Sequence, residues 1–389
     1  MTFKITVVLR ISGRIDAEHL SDLRACLLRH GPEVVLNLDE VQLVDIAAVR
    51  FLARCQADGM ELRNCSRYIR EWMGRERATW SGVTRPVAED EPMTEQMELS
   101  FRTADRVRIR YAEAGRGVGE TVVLTSPWPE SLFAFRKVWG RLAERLHVIA
   151  IDLPGFGQSD RRLDLYAPKA MGAFLVNLIN EWQLGPVHFV GPDVGTSAQL
   201  WAAATNPGLV RSLVIGGGAV ALPLQTGGAL KTIIGAPNMD WVTDSAQTLG
   251  PVYDAIPGGT PPEIKADYLA SYAGDRFAES ARYVRSYPVE LPLLAEILPT
   301  ILTPVLLMSG ANDELVPLVN AEFLHERLPN SRMGMLQAGH FAWEEVSDQY
   351  ADGLLDWIGG GYQELSTASA GASWRTTRRT EVHHLQEES

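Results

Sequence analysis

The chain has 389 residues, 46% of them hydrophobic and 22% charged, with a net charge of −12. That is enough chain for two modules with sizeable cores. The acidic balance argues against nucleic acid or an anionic membrane as partner, and no run approaches the roughly 18 apolar residues of a membrane span. Residues 1–75 alternate strand-like and helix-like stretches. "ITVVLRISG", "VVLNL" and "MELRNC" read as strands; "AEHLSDLRACLLRH", "DIAAVRFLARCQADG" and "SRYIREWMG" have helical apolar spacing. This predicts a small α/β layer domain. Residues 76–98 lose periodicity and gain charge, proline and glycine, as a linker does.

From residue 99 to 361 the pattern restarts as a second α/β domain. "LSFRT" and "VRIRYAEAG" predict a hairpin, and "TVVLTS", "HVIAID", "VHFVG", "RSLVIGGG" and "TPVLLMSG" predict buried strands separated by helix-length segments. Such alternation gives a mostly parallel sheet covered on both faces. At about 221–292 a tyrosine-rich, helix-like stretch interrupts it, which predicts an inserted helical lid. Residues 362–389 are polar and read as a disordered tail.

Cys26, Cys55 and Cys65 are the three cysteines. Without metal-ligand spacing they suggest a reducing compartment rather than a disulfide framework. The opening "MTFKITVVLRISGRID" meets Arg10 too early for a signal-peptide core, so a cytoplasmic location is expected. No cofactor or metal is expected: "GRGVG" at 115–119 lacks a following phosphate-binding helix, and the paired His383 and His384 lack further ligands.

The chemistry concentrates at "VHFVGPDVGTSAQLW", where a short apolar strand turns through Gly-Pro-Asp-Val-Gly into a helix. This is the pattern of a nucleophile elbow, with Asp193 at the tip. Downstream, Asp313 follows the strand in "LLMSGANDELVP" and His340 follows a glycine in "LQAGHFAWEE". Nucleophile, acid and histidine in this chain order make a triad. A carboxylate needs no base to become ionised at neutral pH. It attacks a saturated carbon directly and leaves an ester on the protein.

With "DLPGFGQSD" and "PWPES", these motifs make residues 99–360 resemble the α/β-hydrolase superfamily. The aspartate at the elbow is similar to its epoxide hydrolase and haloalkane dehalogenase branch. The resemblance implies a covalent alkyl-enzyme ester on Asp193, His340 as base for a hydrolytic water, Asp313 as its orienting acid, and the N–H groups of Trp128 and Val194 as oxyanion hole. It implies a small hydrophobic substrate, epoxide first and haloalkane second, with an ester or lactone as a further reading. Ring opening of an epoxide calls for an acid, and Tyr268, Tyr272, Tyr283 and Tyr287 of the lid are the candidates. Trp128 matches a halide-binding position. Five residues depart from the usual pattern: Ser126 and Pro127 stand where His-Gly is usual, Pro192 precedes the nucleophile where histidine is usual, Val194 stands where haloalkane dehalogenases carry tryptophan, and Val284 stands where many epoxide hydrolases carry tyrosine.

Residues 3–74 resemble a STAS domain of the anti-sigma factor antagonist type. Asp45 is present, but Ile46 and Ala47 follow it where signalling members carry a phosphorylatable serine, so the usual switch is absent. A module that binds a partner protein or small ligand is what remains. That fusion raises a reading from another class, in which the hydrolase-like domain is a slow or non-catalytic sensor of a small hydrophobic molecule.

Overall fold

The computed structural model describes residues 97–365 throughout and, before them, 7–15, 34–44, 46–57, 60–66 and positions 23, 69, 70 and 73. Two compact units divide the chain, Met1–Glu91 and Pro92–Ser389. The expected helix at 17–30, the linker up to residue 96 and the tail from 366 lie outside the described residues. Tyr362–Leu365, expected in the tail, are helical, and Arg332 pairs with Glu364 there.

In the first unit, β1 (Val7–Ile15), β2 (Val34–Val44) and β3 (Glu61–Arg63) form a parallel sheet in that order. Helix α1 (Ile46–Ala57) buries Val49 and Leu52 with Leu36 and Leu38 of β2 in one core. Cys55 and Cys65 are both buried.

The second unit is built on an eight-stranded sheet. Its strands are β4 (Leu99–Ala104), β5 (Val107–Ala114), β6 (Thr121–Thr125), β7 (His147–Ile151), β8 (Val187–Pro192), β9 (Val210–Gly216), β10 (Val305–Gly310) and β11 (Ser331–Leu336). They lie in the order β11-β10-β9-β8-β6-β7-β5-β4. From β7 to β11 every pairing is parallel, and the β4–β5 hairpin joins antiparallel through β5 and β7. The short β-branched runs suit strands buried on both sides, because alternate side chains feed two cores. Val122 and Leu124 enter one core, and Val123 enters the other.

Four helices concern the site's frame: α2 (Arg136–Ala143), α3 (Pro168–Trp182), α4 (Val194–Thr205) and α5 (Gly228–Gly235). The last of these opens the lid, which continues through α6 (Ser245–Asp254), α7 (Pro262–Ser271), α8 (Arg276–Ser280), α9 (Arg282–Arg285) and α10 (Tyr287–Ile297). The lid thus runs past the expected end at 292. Pro288 lies in the first turn of α10, where a missing N–H costs nothing, so it starts the helix rather than stopping it. No helix among the described residues is long and apolar enough to cross a membrane.

Neighbouring β6 and β8 mark the point where strand order reverses, since β7 lies on the far side of β6 and β9 on the far side of β8. In open α/β sheets the crevice beyond the carboxyl ends at such a switch point is where ligands bind. Trp128 follows β6 and Asp193 follows β8, so both stand at this crevice.

Candidate active site

Asp193 is held at φ 52°, ψ −122° between β8 and α4. Aspartate is among the non-glycine residues that tolerate a positive φ. The turn is tight enough to need Gly195: a Cβ there would lie 2.4 Å from Thr125 Oγ1. Gly218 is constrained in the same way, since its Cβ would meet Asp193 O at 2.5 Å. Pro192, with no N–H to give, ends β8 opposite Gly216, and the next donor along, Asp193 N–H, bonds Gly216 O at 2.9 Å.

The Asp193 side chain does not cap α4 in the usual way. Its Oδ2 instead accepts the Trp128 N–H at 2.6 Å, and the neighbouring Val194 N–H helps to hold down the pKa of the carboxylate. Burial raises its pKa to about 6, against the pull of His340 and of the two backbone N–H groups. The turn therefore brings Asp193 together with Trp128 and Val194.

His340 stands on the loop after β11, its Nδ1 2.8 Å from Asp313 Oδ2. The other oxygen, Asp313 Oδ1, accepts the N–H groups of Leu315 at 2.9 Å and Val316 at 2.8 Å. An acceptor fixed in this way favours the tautomer with the proton on Nδ1 and a bare Nε2. Burial works against a charged ring, but the Asp313 bond and the nearby Asp193 outweigh it and raise the His340 pKa. Gly217 lies between the two groups: a Cβ on it would stand 3.9 Å from both Asp193 N and His340 Cε1.

Next to these groups is a cavity of ≈ 500 Å³ walled by Leu230, Ile233, Leu249, Val252, Phe277 and Phe341, with Asp193, Trp128 and His340 on its surface. A groove of ≈ 680 Å³ along edge strand β11 and Trp357 carries none of these three groups. Trp128 stacks on Phe277 with ring centroids 5.3 Å apart and donates its indole N–H to Ser280 Oγ at 2.8 Å. That N–H, expected to face a halide, is engaged by the lid.

The four lid tyrosines require a correction. None of Tyr268, Tyr272, Tyr283 and Tyr287 lines the cavity, and all are fully buried or nearly so. Buried acceptors elsewhere draw three of their hydroxyls. Tyr272 donates to Glu130 O at 2.8 Å, Tyr283 to Val194 O at 3.1 Å, and Tyr268 approaches Glu344 Oε1 at 3.4 Å.

Sequence reading missed several supporting groups. Glu345 accepts Gly339 N–H at 2.8 Å and Phe341 N–H at 3.1 Å, bracketing His340. The signal was available in "GHFAWEE", where a carboxylate follows within a turn of the loop it braces. Glu130 is fully buried, takes the Trp343 indole N–H at 3.0 Å, and has its pKa pushed well above the ordinary carboxylate value by burial and the neighbouring Glu344. Ser126 Oγ, at a departure from the usual pattern, is buried without a hydrogen-bond partner. Among the described residues no group of three His, Cys, Asp or Glu side chains could hold a metal ion.

Comparison with known proteins fits this architecture. The uncharacterized hydrolase YugF of Bacillus subtilis is 27% identical over 274 residues, covering 66% of this chain and 96% of its own. A soluble epoxide hydrolase of Corynebacterium is 33% identical over a shorter stretch of 108 residues, 28% of this chain and 37% of its own. Among solved structures, Cfl2 of Burkholderia cenocepacia superposes with a TM-score of 0.61 at 23% identity, covering 70% of this chain and all of that one, a likeness of fold. The sequence profile of the alpha/beta hydrolase fold matches residues 120–345. This chain belongs to the alpha/beta hydrolase family.

Proposed function

We propose that the chain is a hydrolase working through a covalent ester on Asp193. One observation carries the reading: the Asp193 carboxylate already rests one oxygen, Oδ2, on the Trp128 N–H. Oδ1 attacks an electrophilic carbon of the substrate, and the carbon–oxygen bond of an epoxide breaks with its electron pair staying on oxygen, which takes a proton from water. Oδ2 then becomes the carbonyl oxygen of the ester, in the place where charge develops when water attacks Cγ. His340 Nε2 takes the proton of that water and passes it to the departing alkoxide. Asp193, left as the acid, releases the proton that ring opening consumed. The net reaction is epoxide plus water to diol.

The stretch of likeness to the Corynebacterium soluble epoxide hydrolase supports an epoxide as first substrate class. A haloalkane is the second reading, favoured by the cavity wall, which has no tyrosine to act as acid. A halide leaves without needing a proton. Cavity size supports a substantial apolar body for either, since a cavity of about 150 Å³ already holds benzene and this one measures ≈ 500 Å³.

The test is intact-protein mass spectrometry on His340→Ala incubated with decene oxide and with bromodecane. Without the base the reaction is expected to stop at the ester, adding the mass of the probe to a peptide containing Asp193. The probe that reacts identifies the substrate class. A folded variant that binds both probes and gains no mass overturns the reading and favours a ligand sensor.

A further inference from the structure

Three lid helices each send one tyrosine hydroxyl to the backbone that frames the oxyanion hole. Tyr253 of α6 donates to Pro129 O at 2.6 Å. Tyr272, just past α7, donates to Glu130 O at 2.8 Å, and Tyr283 of α9 donates to Val194 O at 3.1 Å. All three side chains are fully buried. The carbonyls they hold lie within two residues of the two N–H groups beside the Asp193 carboxylate, those of Trp128 and Val194.

The loop from Ser126 to Ser131 is also tied at its ends, by Ser126 N–H to Ile151 O at 2.9 Å and Ala134 N–H to Ser131 O at 2.9 Å, and through the Glu130 carboxyl on the Trp343 indole at 3.0 Å. Pro127 and Pro129 have no N–H to bond with, and the internal tie of its turn is Glu130 N–H to Pro127 O at 3.1 Å. Between those ties, the carbonyls of Pro129 and Glu130 are held by hydroxyls of the lid. Trp128 adds a further tie, through its indole N–H on Ser280 of the lid.

We propose that Tyr253, Tyr272 and Tyr283 are positioning residues that make seating of the lid set the two oxyanion-hole donors. The proposal rests on the ester mechanism above. It separates the two half-reactions. Attack by Asp193 Oδ1 needs the carboxylate and the cavity, both of which survive a small rotation of the loop. Water attack on the ester builds charge on Oδ2 and depends on both N–H groups being aimed at it. Lid and hole are thus coupled, and the second half-reaction runs at full rate with the lid seated.

The test uses the full-length chain carrying Tyr253→Phe, Tyr272→Phe and Tyr283→Phe, singly and together. Turnover of whichever of decene oxide or bromodecane alkylates His340→Ala is followed by rapid quench and intact mass. Losing one oxyanion-hole donor outright costs about 10² to 10³ in rate, so misaiming one is expected to slow ester breakdown roughly tenfold, and more in the triple variant. Ester formation should change less than about threefold. The ester then accumulates during turnover, and kcat and KM fall in parallel with kcat/KM kept.

Four other results overturn the proposal. If kcat falls at constant KM with no ester accumulating, the tyrosines act by stability alone. If ester formation itself slows with the epoxide, a tyrosine is the acid for ring opening. Absence of any adduct in His340→Ala removes the mechanism and this proposal with it; an adduct there, with unaltered kinetics in the Phe variants, removes this proposal only.

Discussion

Asp193→Asn is expected to lower turnover by at least about 10³-fold and, at the same time, to make the protein more stable at alkaline pH. In the proposed mechanism the loss of rate follows from replacing the attacking carboxylate by an amide. The gain in stability follows from burial. The Asp193 pKa stands at about 6 in the folded chain, against an ordinary value of 3.8. The folded state therefore holds this proton more tightly than the unfolded state does, and stability falls as pH rises from the unfolded pKa through the folded one. At 1.36 kcal/mol per tenfold change in proton affinity, the cost above pH 6 is about 3 kcal/mol. Asparagine carries no such cost, tolerates the positive φ, and can still accept the Trp128 N–H. Urea unfolding of both proteins at pH 8 and pH 4 checks this. The variant should be more stable at pH 8 by up to about 3 kcal/mol, and the difference should shrink towards zero at pH 4. A difference that does not change with pH would contradict a raised Asp193 pKa. The same ionisation gives ester formation an acid limb near pH 6, and ester breakdown a further limb set by His340, whose pKa is raised above the imidazole value.

The elbow was legible in the sequence because its physics is local. A strand that turns into a helix within Gly191–Gly195 announces itself by its glycines, and Asp313 and His340 each follow a strand directly. Since parallel strands end at one edge of the sheet, placement at strand ends is enough to bring three distant residues together. The tyrosines were misplaced for the opposite reason. Their count and their presence in a lid are sequence properties, but the direction of each hydroxyl depends on which buried carbonyl lacks a donor. For Tyr272 and Glu130 that carbonyl is 142 positions away. Glu130 was read as part of "PWPES" but not as a fully buried carboxyl, because that side chain is covered by Trp343, 213 positions away in the chain.

Arg110→Met is the second substitution with a large expected effect, and it bears on the seating of the lid. Arg110 on β5 is only 2% exposed and joins two carboxylates: Nε reaches Asp152 Oδ2 at 2.6 Å, and Nη1 reaches Asp267 Oδ2 of α7 at 2.6 Å. Asp152 is fully buried. Burial raises its pKa in spite of Arg110 and the N–H groups of Gln158 and Leu132. A methionine of similar length keeps the packing and removes the counter-ion, leaving Asp152 and Asp267 facing each other without it. Removing one partner from a buried charge cluster costs about 3 to 5 kcal/mol, and that loss is expected here. Its pH dependence distinguishes lost charge from lost packing. In the variant the buried Asp152 gains proton affinity over the unfolded chain, so the penalty shrinks as pH falls towards the ordinary carboxylate range and grows as pH rises through its new value. Lost packing would cost the same at every pH. Asp267 also accepts from Ser131 Oγ at 2.7 Å, one residue beyond Glu130, so the same substitution loosens the lid beside the oxyanion-hole loop. Arg110→Met should therefore accumulate the Asp193 ester under turnover, as the tyrosine variants do. Denaturant unfolding at pH 5 and pH 8, read beside quenched-flow mass spectrometry, tests both consequences. Equal destabilisation at the two pH values would show that the Arg110 charge is not what holds α7 to the sheet.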